Sequence, residues 1–358
     1  MKTKPGKVDI GDFKKALNKK LGIEVAYDLN HENPASIKDW ISTGSTILDW
    51  LIYPGKRAGI PVGRITELAG LSAAGKSFMA AVIAANANKK GMKVIYFDSE
   101  AAVDAEFLEK AGCNKDQILY VQATSVEMVL TSIEYLMEQW PDEQLLFIWD
   151  SIAATPAEKD VEGDFNPQSS MAQKPRIFSK AFDKLQVPLE RTQSNLLLIN
   201  QLKTNITTNV AEAMTTPYFA PGGKAIEFHC ALRIWLTRRK AKAGKVLDEN
   251  GTQVGSEVKA KIQKVRSAGY GRECTFDVLW GGKDVRIADE ESWLHALAKV
   301  NSDRYKASGA WKTIVDSKGK EYKFQSKDWL EKLKDEKFKA AVMEILEEEF
   351  VNKYKKNA

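Results

Sequence analysis

From about Ser36 to Gly282 the chain alternates short apolar runs with longer stretches whose apolar residues recur every three or four positions. The runs 64–68, 93–98, 118–121, 145–150 and 195–200 are predicted strands. Several are apolar at nearly every position, the pattern of a strand covered on both faces. The clearest helix between them is 125–140, with Val126, Val129, Leu130, Ile133, Leu136, Met137 and Trp140 on one stripe. Thr124 and Glu127 form a capping-box pattern at its start. Strand–helix alternation of this kind predicts a mostly parallel α/β sheet.

After Phe228 the pattern changes. Residues 232–238, 245–247, 254–265 and 275–279 read as strands, and Glu249-Asn250-Gly251 supplies a turn tolerant of positive φ. These strands predict an antiparallel extension of the sheet. From about Ala288 the chain becomes charged and helical, with Phe338, Ala341, Val342, Ile345 and Leu346 on one stripe. The N-terminal stretch is polar and lysine-rich, with one helix expected over 12–21. The expected organisation is a small N-terminal segment (1–35), an α/β core (36–282) and a small α-rich C-terminal domain (283–358).

Composition adds exclusions. Of 358 residues, 44% are hydrophobic and 28% charged, enough apolar material to exclude a wholly disordered chain. No apolar run approaches the roughly 18 residues of a membrane span, and the start, MKTKPGKVDI, lacks a signal-type apolar stretch. Cys113, Cys230 and Cys274 lie far apart with no CxxC pair, which fits a reducing cytoplasm better than a disulfide framework or a zinc site. His31, His229 and His295 show no ligand spacing. The net charge of +5 permits a polyanionic partner without establishing one.

Candidate chemistry begins at Gly70-Leu71-Ser72-Ala73-Ala74-Gly75-Lys76-Ser77, a full match to GxxxxGK[ST] between a predicted strand and a predicted helix. The glycines let backbone wrap a phosphate, and successive amides with the helix N-terminus present positive dipole to it. Lys76 is expected to reach the β- and γ-phosphates of ATP, and the Ser77 hydroxyl to ligate Mg²⁺. The strand 145–150 ends in Asp150, the carboxylate such a Mg²⁺ site requires. Glu100, just beyond the strand 93–98, is the candidate base for an attacking water, since ligands sit at the C-terminal strand ends of open α/β sheets.

These residues resemble the RecA family of homologous-recombination ATPases over roughly residues 41–279. The resemblance rests on Ile41-Ser42-Thr43-Gly44-Ser45 with Leu48-Asp49, on Gly63-Arg64-Ile65-Thr66-Glu67 leading into the glycine-rich loop, on Phe97-Asp98-Ser99-Glu100, on Asp150-Ser151-Ile152-Ala153-Ala154, on Ile199-Asn200-Gln201, and on Pro221-Gly222-Gly223-Lys224-Ala225-Ile226-Glu227-Phe228. Gly309-Ala310-Trp311 resembles the bacterial C-terminal domain. The loop interior Leu71-Ser72-Ala73-Ala74 departs from the bacterial pattern, and the end, Lys353-Tyr354-Lys355-Lys356-Asn357-Ala358, lacks a long acidic tail. A divergent member is expected, in a bacterial cytoplasm or that of a bacteriophage-infected host.

The resemblance implies a P-loop ATPase core that forms helical filaments on single-stranded DNA and pairs it with homologous duplex, with the N-terminal segment polymerising against a neighbour. Single-strand-binding and mediator proteins are further implied partners. Asp104 and Phe107 fall where the family contacts adenine. Two long connections, 157–175 and 202–223, leave the sheet on the nucleotide edge and are the expected DNA loops. The first offers Asn166, Gln168, Ser169 and Ser170 as phosphate partners, Met171 as an apolar wedge, Lys174 and, just beyond, Arg176. The second offers Lys203, Asn205, Ile206 as a second wedge, Thr207, Thr208 and Asn209, and closes with Gly222 and Gly223. Gln201 is the expected switch, bonding the γ-phosphate before hydrolysis and not after. Lys264 and Arg266 match a cationic pair that reaches a neighbour's γ-phosphate, although cations at a strand end are otherwise commonplace. The lysine-rich 312–339 stretch either attracts duplex DNA or is a solvated helical face. A ring-forming helicase on the same core, or a non-exchanging mediator ATPase, are the alternatives.

Overall fold

The computed structural model describes residues 9–30, 33–55, 58–162, 173–205, 217–238, 244–266, 269, 271–281, 285–300 and 302–354. The chain divides into two units, 1–38 and 39–358. In the first, helix α1 (Ile10–Leu21) ends on Gly22 in the left-handed region at φ 69°. The Asn18 carboxamide then holds the returning chain, accepting from Val25 N at 3.0 Å and Ala26 N at 2.8 Å. Ile10, Phe13, Leu17 and Leu21 fall on one helical stripe, and all four are exposed.

In the second unit the elements that position the site follow in chain order: α2 (Thr46–Ile52), β1 (Ile65–Gly70), α3 (Lys76–Lys89), β2 (Lys93–Asp98), α4 (Ala105–Lys110), β3 (Ile118–Gln122), α5 (Val126–Gln139), β4 (Leu145–Asp150), α6 (Gln173–Thr192), β5 (Asn195–Gln201), α7 (Gly223–His229), β6 (Leu232–Arg238), β7 (Lys245–Leu247), β8 (Gln253–Val265), β9 (Glu273–Leu279), β10 (Arg286–Ala288), α8 (Asp289–Leu297), β11 (Tyr305–Ser308), β12 (Trp311–Val315), β13 (Glu321–Gln325) and α9 (Glu336–Ile345). Among the described residues one ten-stranded sheet runs β10-β9-β8-β6-β1-β5-β4-β2-β3, with β7 paired to β8. From β6 to β3 every pairing is parallel. From β6 to β10 every pairing is antiparallel, as expected from the change of pattern after Phe228.

Strand residues alternate between two cores, the consequence of a two-residue side-chain period. Tyr96, Leu146, Ile148, Leu197 and Ile199 face the helix α3 side with Met79, Ile83 and Ala84. Ile95, Phe97, Phe147, Trp149, Leu196 and Leu198 face α5 and α6 with Val129, Ile133, Phe178 and Phe182. Helices on both faces explain why β1 and β4 are buried along their whole length. At the free edge of this parallel set, β3 leaves Leu119 and Tyr120 exposed.

Two local expectations change. The cap of α5 is Ser125, whose Oγ accepts from Met128 N at 3.1 Å, rather than Thr124. Glu127 accordingly lies in the first turn and accepts from Glu158 N at 3.0 Å instead of closing a capping box. In the C-terminal region the stripe Phe338, Ala341, Val342, Ile345 and Leu346 is buried as expected. It packs beside an antiparallel meander, β11-β12-β13, that the sequence pattern did not indicate. Lysines at 306, 312 and 323 interrupt these strands, so their alternation reads as charged helix. Trp293, Phe324 and Phe338 join the same buried cluster as α3. Among the described residues no helix is long and apolar enough to cross a membrane.

Candidate functional site

The glycine-rich loop joins β1 to α3 as its spacing requires. Its base is held by both neighbouring strands: Leu71 N donates to Leu236 O at 3.3 Å, and Leu202 N donates to Gly70 O at 2.9 Å. A Cβ on Gly70 would stand 2.8 Å from the Leu236 carbonyl, so the close approach of β6 requires glycine there. Ala73 and Gly75 take positive φ, 55° and 82°, which curls Leu71, Ser72, Ala73 and Ala74 back over the first turn of α3. The first amides of an α-helix lack intrahelical partners and are available to an anion held in such a loop. Lys76 folds under it and donates to Leu71 O at 3.0 Å. Burial lowers the Lys76 pKa, while the charges of Asp150 and Glu100 raise it. An ammonium facing two carboxylates beneath a loop of amides is a site built for a polyanion.

Parallel registry places Asp98 of β2 beside Asp150 of β4. Asp150 is buried, and it accepts from the hydroxyls of Ser77 and Tyr96, the latter at 2.9 Å. Burial raises its pKa against those hydrogen bonds. Ser77 and Asp150 thus meet directly, as the donor set for Mg²⁺ requires: one hydroxyl and one carboxylate, with remaining positions for phosphate oxygens and water. Among the described residues there is no cluster of three His, Cys, Asp or Glu side chains that could hold a metal by itself.

Asp98 shapes the turn that carries Glu100, accepting from Glu100 N at 2.9 Å and Val103 N at 3.0 Å. Ser99 N donates to Asp150 O at 2.8 Å and ties the same turn to β4. The Glu100 Oε1 then accepts from Ser151 Oγ at 3.0 Å and from Gln201 Nε2 at 3.2 Å. Gln201 ends β5 beside Gly70 in register. The candidate base and the candidate switch, 101 positions apart in sequence, are therefore in direct contact. Asp104 caps α4, accepting from Phe107 N at 2.7 Å, and the Phe107 ring meets Phe78 of α3 edge-on at 6.2 Å.

The two long connections converge on one cleft of about 350 Å³, lined by Ile152, Lys174, Phe178, Lys203, Pro221 and Gly222 among others. Lys174 and Arg176 lie in the first turn of α6. Burial lowers the Lys174 pKa; Asp160 opposes this and Lys203 adds to it. Lys203 sits on a two-residue strand, Lys203–Thr204, paired with Tyr218–Phe219, and Asn205 N donates to Pro217 O at 2.9 Å. Gly222 and Gly223 take φ 104° and 74° where α7 begins. Met171 and Ile206 lie outside the described residues, as do Asn166, Gln168, Ser169, Ser170, Thr207, Thr208 and Asn209.

Lys264 and Arg266 stand at the other end of α7. Lys264 Nζ donates to the carbonyls of Glu227 and, at 3.0 Å, Phe228, and Arg266 Nη2 donates to Phe228 O at 3.0 Å. Cations there complement the negative end of a helix. Burial and the neighbouring Arg266 charge lower the Lys264 pKa.

Sequence reasoning named Asp98 and Ser151 only within the motifs that carry the resemblance, without a role, and did not single out Tyr96. The available signal was a polar side chain at or near the C-terminal end of an apolar strand.

A family model described as the RecA N-terminal domain matches residues 10–284. The chain is 32% identical over 273 residues to Protein RecA of Sulfurovum sp. (strain NBC37-1), covering 76% of this chain and 73% of that one. It is 31% identical to Protein RecA of Helicobacter hepaticus, covering 78% and 76%, and 29% identical to that of Aquifex pyrophilus, covering 81% and 78%. Lys76 beneath the glycine-rich loop, the Ser77–Asp150 pair and the Glu100–Gln201 contact all fall within the matched residues 10–284, and the chain belongs to the RecA family of recombinases.

Proposed function

We propose that this chain is an ATP-driven DNA recombinase that forms helical filaments on single-stranded DNA and exchanges strands with homologous duplex, assembly following ATP binding and release following hydrolysis. ATP lies along the 70–77 loop, with Lys76 at its β- and γ-phosphates and the ring near Asp104 and Phe107. Ser77 and Asp150 would hold Mg²⁺, which would supply positive charge to the phosphate oxygens. Glu100 orients a water toward the γ-phosphorus and accepts its proton as the bond to the bridging oxygen breaks, giving ADP and phosphate. Lys264 and Arg266 reach the triphosphate of an adjacent protomer, which makes hydrolysis depend on assembly. Lys174, Arg176, Lys203, Asn205, Met171, Ile206 and the Gly222-Gly223 turn contact DNA.

The observation that carries this reading is the Gln201–Glu100 hydrogen bond. It gives the second loop, which starts just after Gln201, a direct mechanical tie to the group that handles the attacking water. The test is electron microscopy of the protein with single-stranded DNA and a slowly hydrolysed ATP analogue. Long helical filaments are the expected result; closed rings or isolated particles overturn it.

A further inference from the structure

Next to the switch glutamine lies a chain of buried polar groups that spans three strands. Glu67 of β1 is fully enclosed. Its Oε2 accepts from Arg233 Nε of β6 at 2.6 Å, and its Oε1 accepts from Asn200 Nδ2 of β5 at 2.9 Å. Parallel registry sets Arg233 directly beside Glu67. Asn200, itself enclosed, donates its second amide hydrogen to Pro221 O at 2.8 Å. Its Oδ1 accepts from Gln201 N at 2.9 Å.

This arrangement admits one orientation of the carboxamide. Turned over, its oxygen would face a carboxylate and a carbonyl, and its amide group would face an N–H donor. The enclosed Glu67 enforces the orientation, since losing a partner from a buried charge is costly. Asn200 therefore bridges two places that matter. On one side is the backbone of Gln201, whose side chain reaches Glu100. On the other is Pro221, which with Gly222 lines the cleft beside Lys174 and Lys203.

We propose that Asn200, oriented by Glu67, is a positioning residue that ties Gln201 to the Pro221-Gly222 end of the second loop, so that a displacement of Gln201 by nucleotide is felt at both ends of that loop. The role rests on the functional reading above for what nucleotide and DNA do.

The test measures affinity of the full chain for a fluorescent single-stranded oligonucleotide, with a slowly hydrolysed ATP analogue and without nucleotide. Affinity for a fluorescent ATP analogue is measured separately. In the native protein the ratio of the two DNA affinities is expected to be about tenfold or more. Asn200→Ala brings that ratio to within about twofold of unity while nucleotide affinity stays within about threefold of native. Asn200→Leu, which keeps the bulk of the side chain but can neither donate to Glu67 and Pro221 nor accept from Gln201 N, does the same and guards against a cavity. Variants that keep the native ratio overturn the positioning role alone. Loss of the ratio together with nucleotide affinity also overturns it, since the residue then supports only the fold. A native ratio near one fails the functional reading itself, and the positioning role with it.

Discussion

Lys76 and Glu100 stand within each other's field, and the proposed function gives each a separable role. If a triphosphate binds as proposed, removing the ammonium leaves it facing Asp150 and Glu100 without a counter-charge. Lys76→Ala is expected to weaken nucleotide binding by roughly 10- to 100-fold, the worth of one charge-assisted hydrogen bond; titration with a fluorescent ATP analogue reads it. Glu100→Gln keeps an oxygen for Ser151 and Gln201 but cannot take a proton. Hydrolysis should fall about 10²- to 10⁴-fold with nucleotide affinity retained, and steady-state phosphate release near the native rate would remove Glu100 as the base. That Lys76, Ser77 and Asp150 come together was legible in the sequence because the pattern is local: a loop spacing and a strand end. Tyr96 and Ser151 were not, because their partners Asp150 and Glu100 lie 54 and 51 positions away and only strand registry brings them together.

At the level of elements, strands buried on both faces were legible, β2 and β4 with their bounds, because a short apolar run bounded by polar residues suits a strand sandwiched between helices; β1 runs 65–70 rather than the expected 64–68. Helix starts were less so: Thr124 and Ser125 are both good caps, and only geometry chooses Ser125. The meander β11–β13 was lost because lysines share its strands with the buried Tyr305, Ile314 and Phe324. The α7 start is testable through Gly222. A Cβ there meets Ile226 Cδ1 at 2.2 Å and the backbone sits at φ 104°. Gly222→Ala should cost about 1–3 kcal/mol and weaken DNA binding, as read by urea denaturation and fluorescence anisotropy. Lys203→Ala, on the short strand that opens the second connection, should lower the salt slope of single-strand binding by about 0.7 per protomer bound; an unchanged slope removes it from the phosphate contacts.

For the whole molecule, pH is the sharpest probe. Asp49 on α2 is enclosed, and burial raises its pKa to about 7 against hydrogen bonds from Ser42 and Thr43, with the nearby Asp289 charge adding to the rise. Its ordinary value is 3.8, so the folded state favours the protonated form. The corresponding stability is complete below about pH 4 and is lost as pH climbs toward 7. Asp49→Asn should flatten that part of the stability curve, measured as denaturation midpoints across pH 4–8; a slope identical to the native one would show that Asp49 does not titrate there.

The grip of Lys264 and Arg266 on the last carbonyls of α7 has its own consequence. The pair is turned inward, against a helix whose opposite tip borders the cleft. Any outside anion that draws the pair away uncovers those carbonyls and slackens the helix at its base. A lateral encounter that displaced the pair would therefore act first on the carbonyl end of a seven-residue helix.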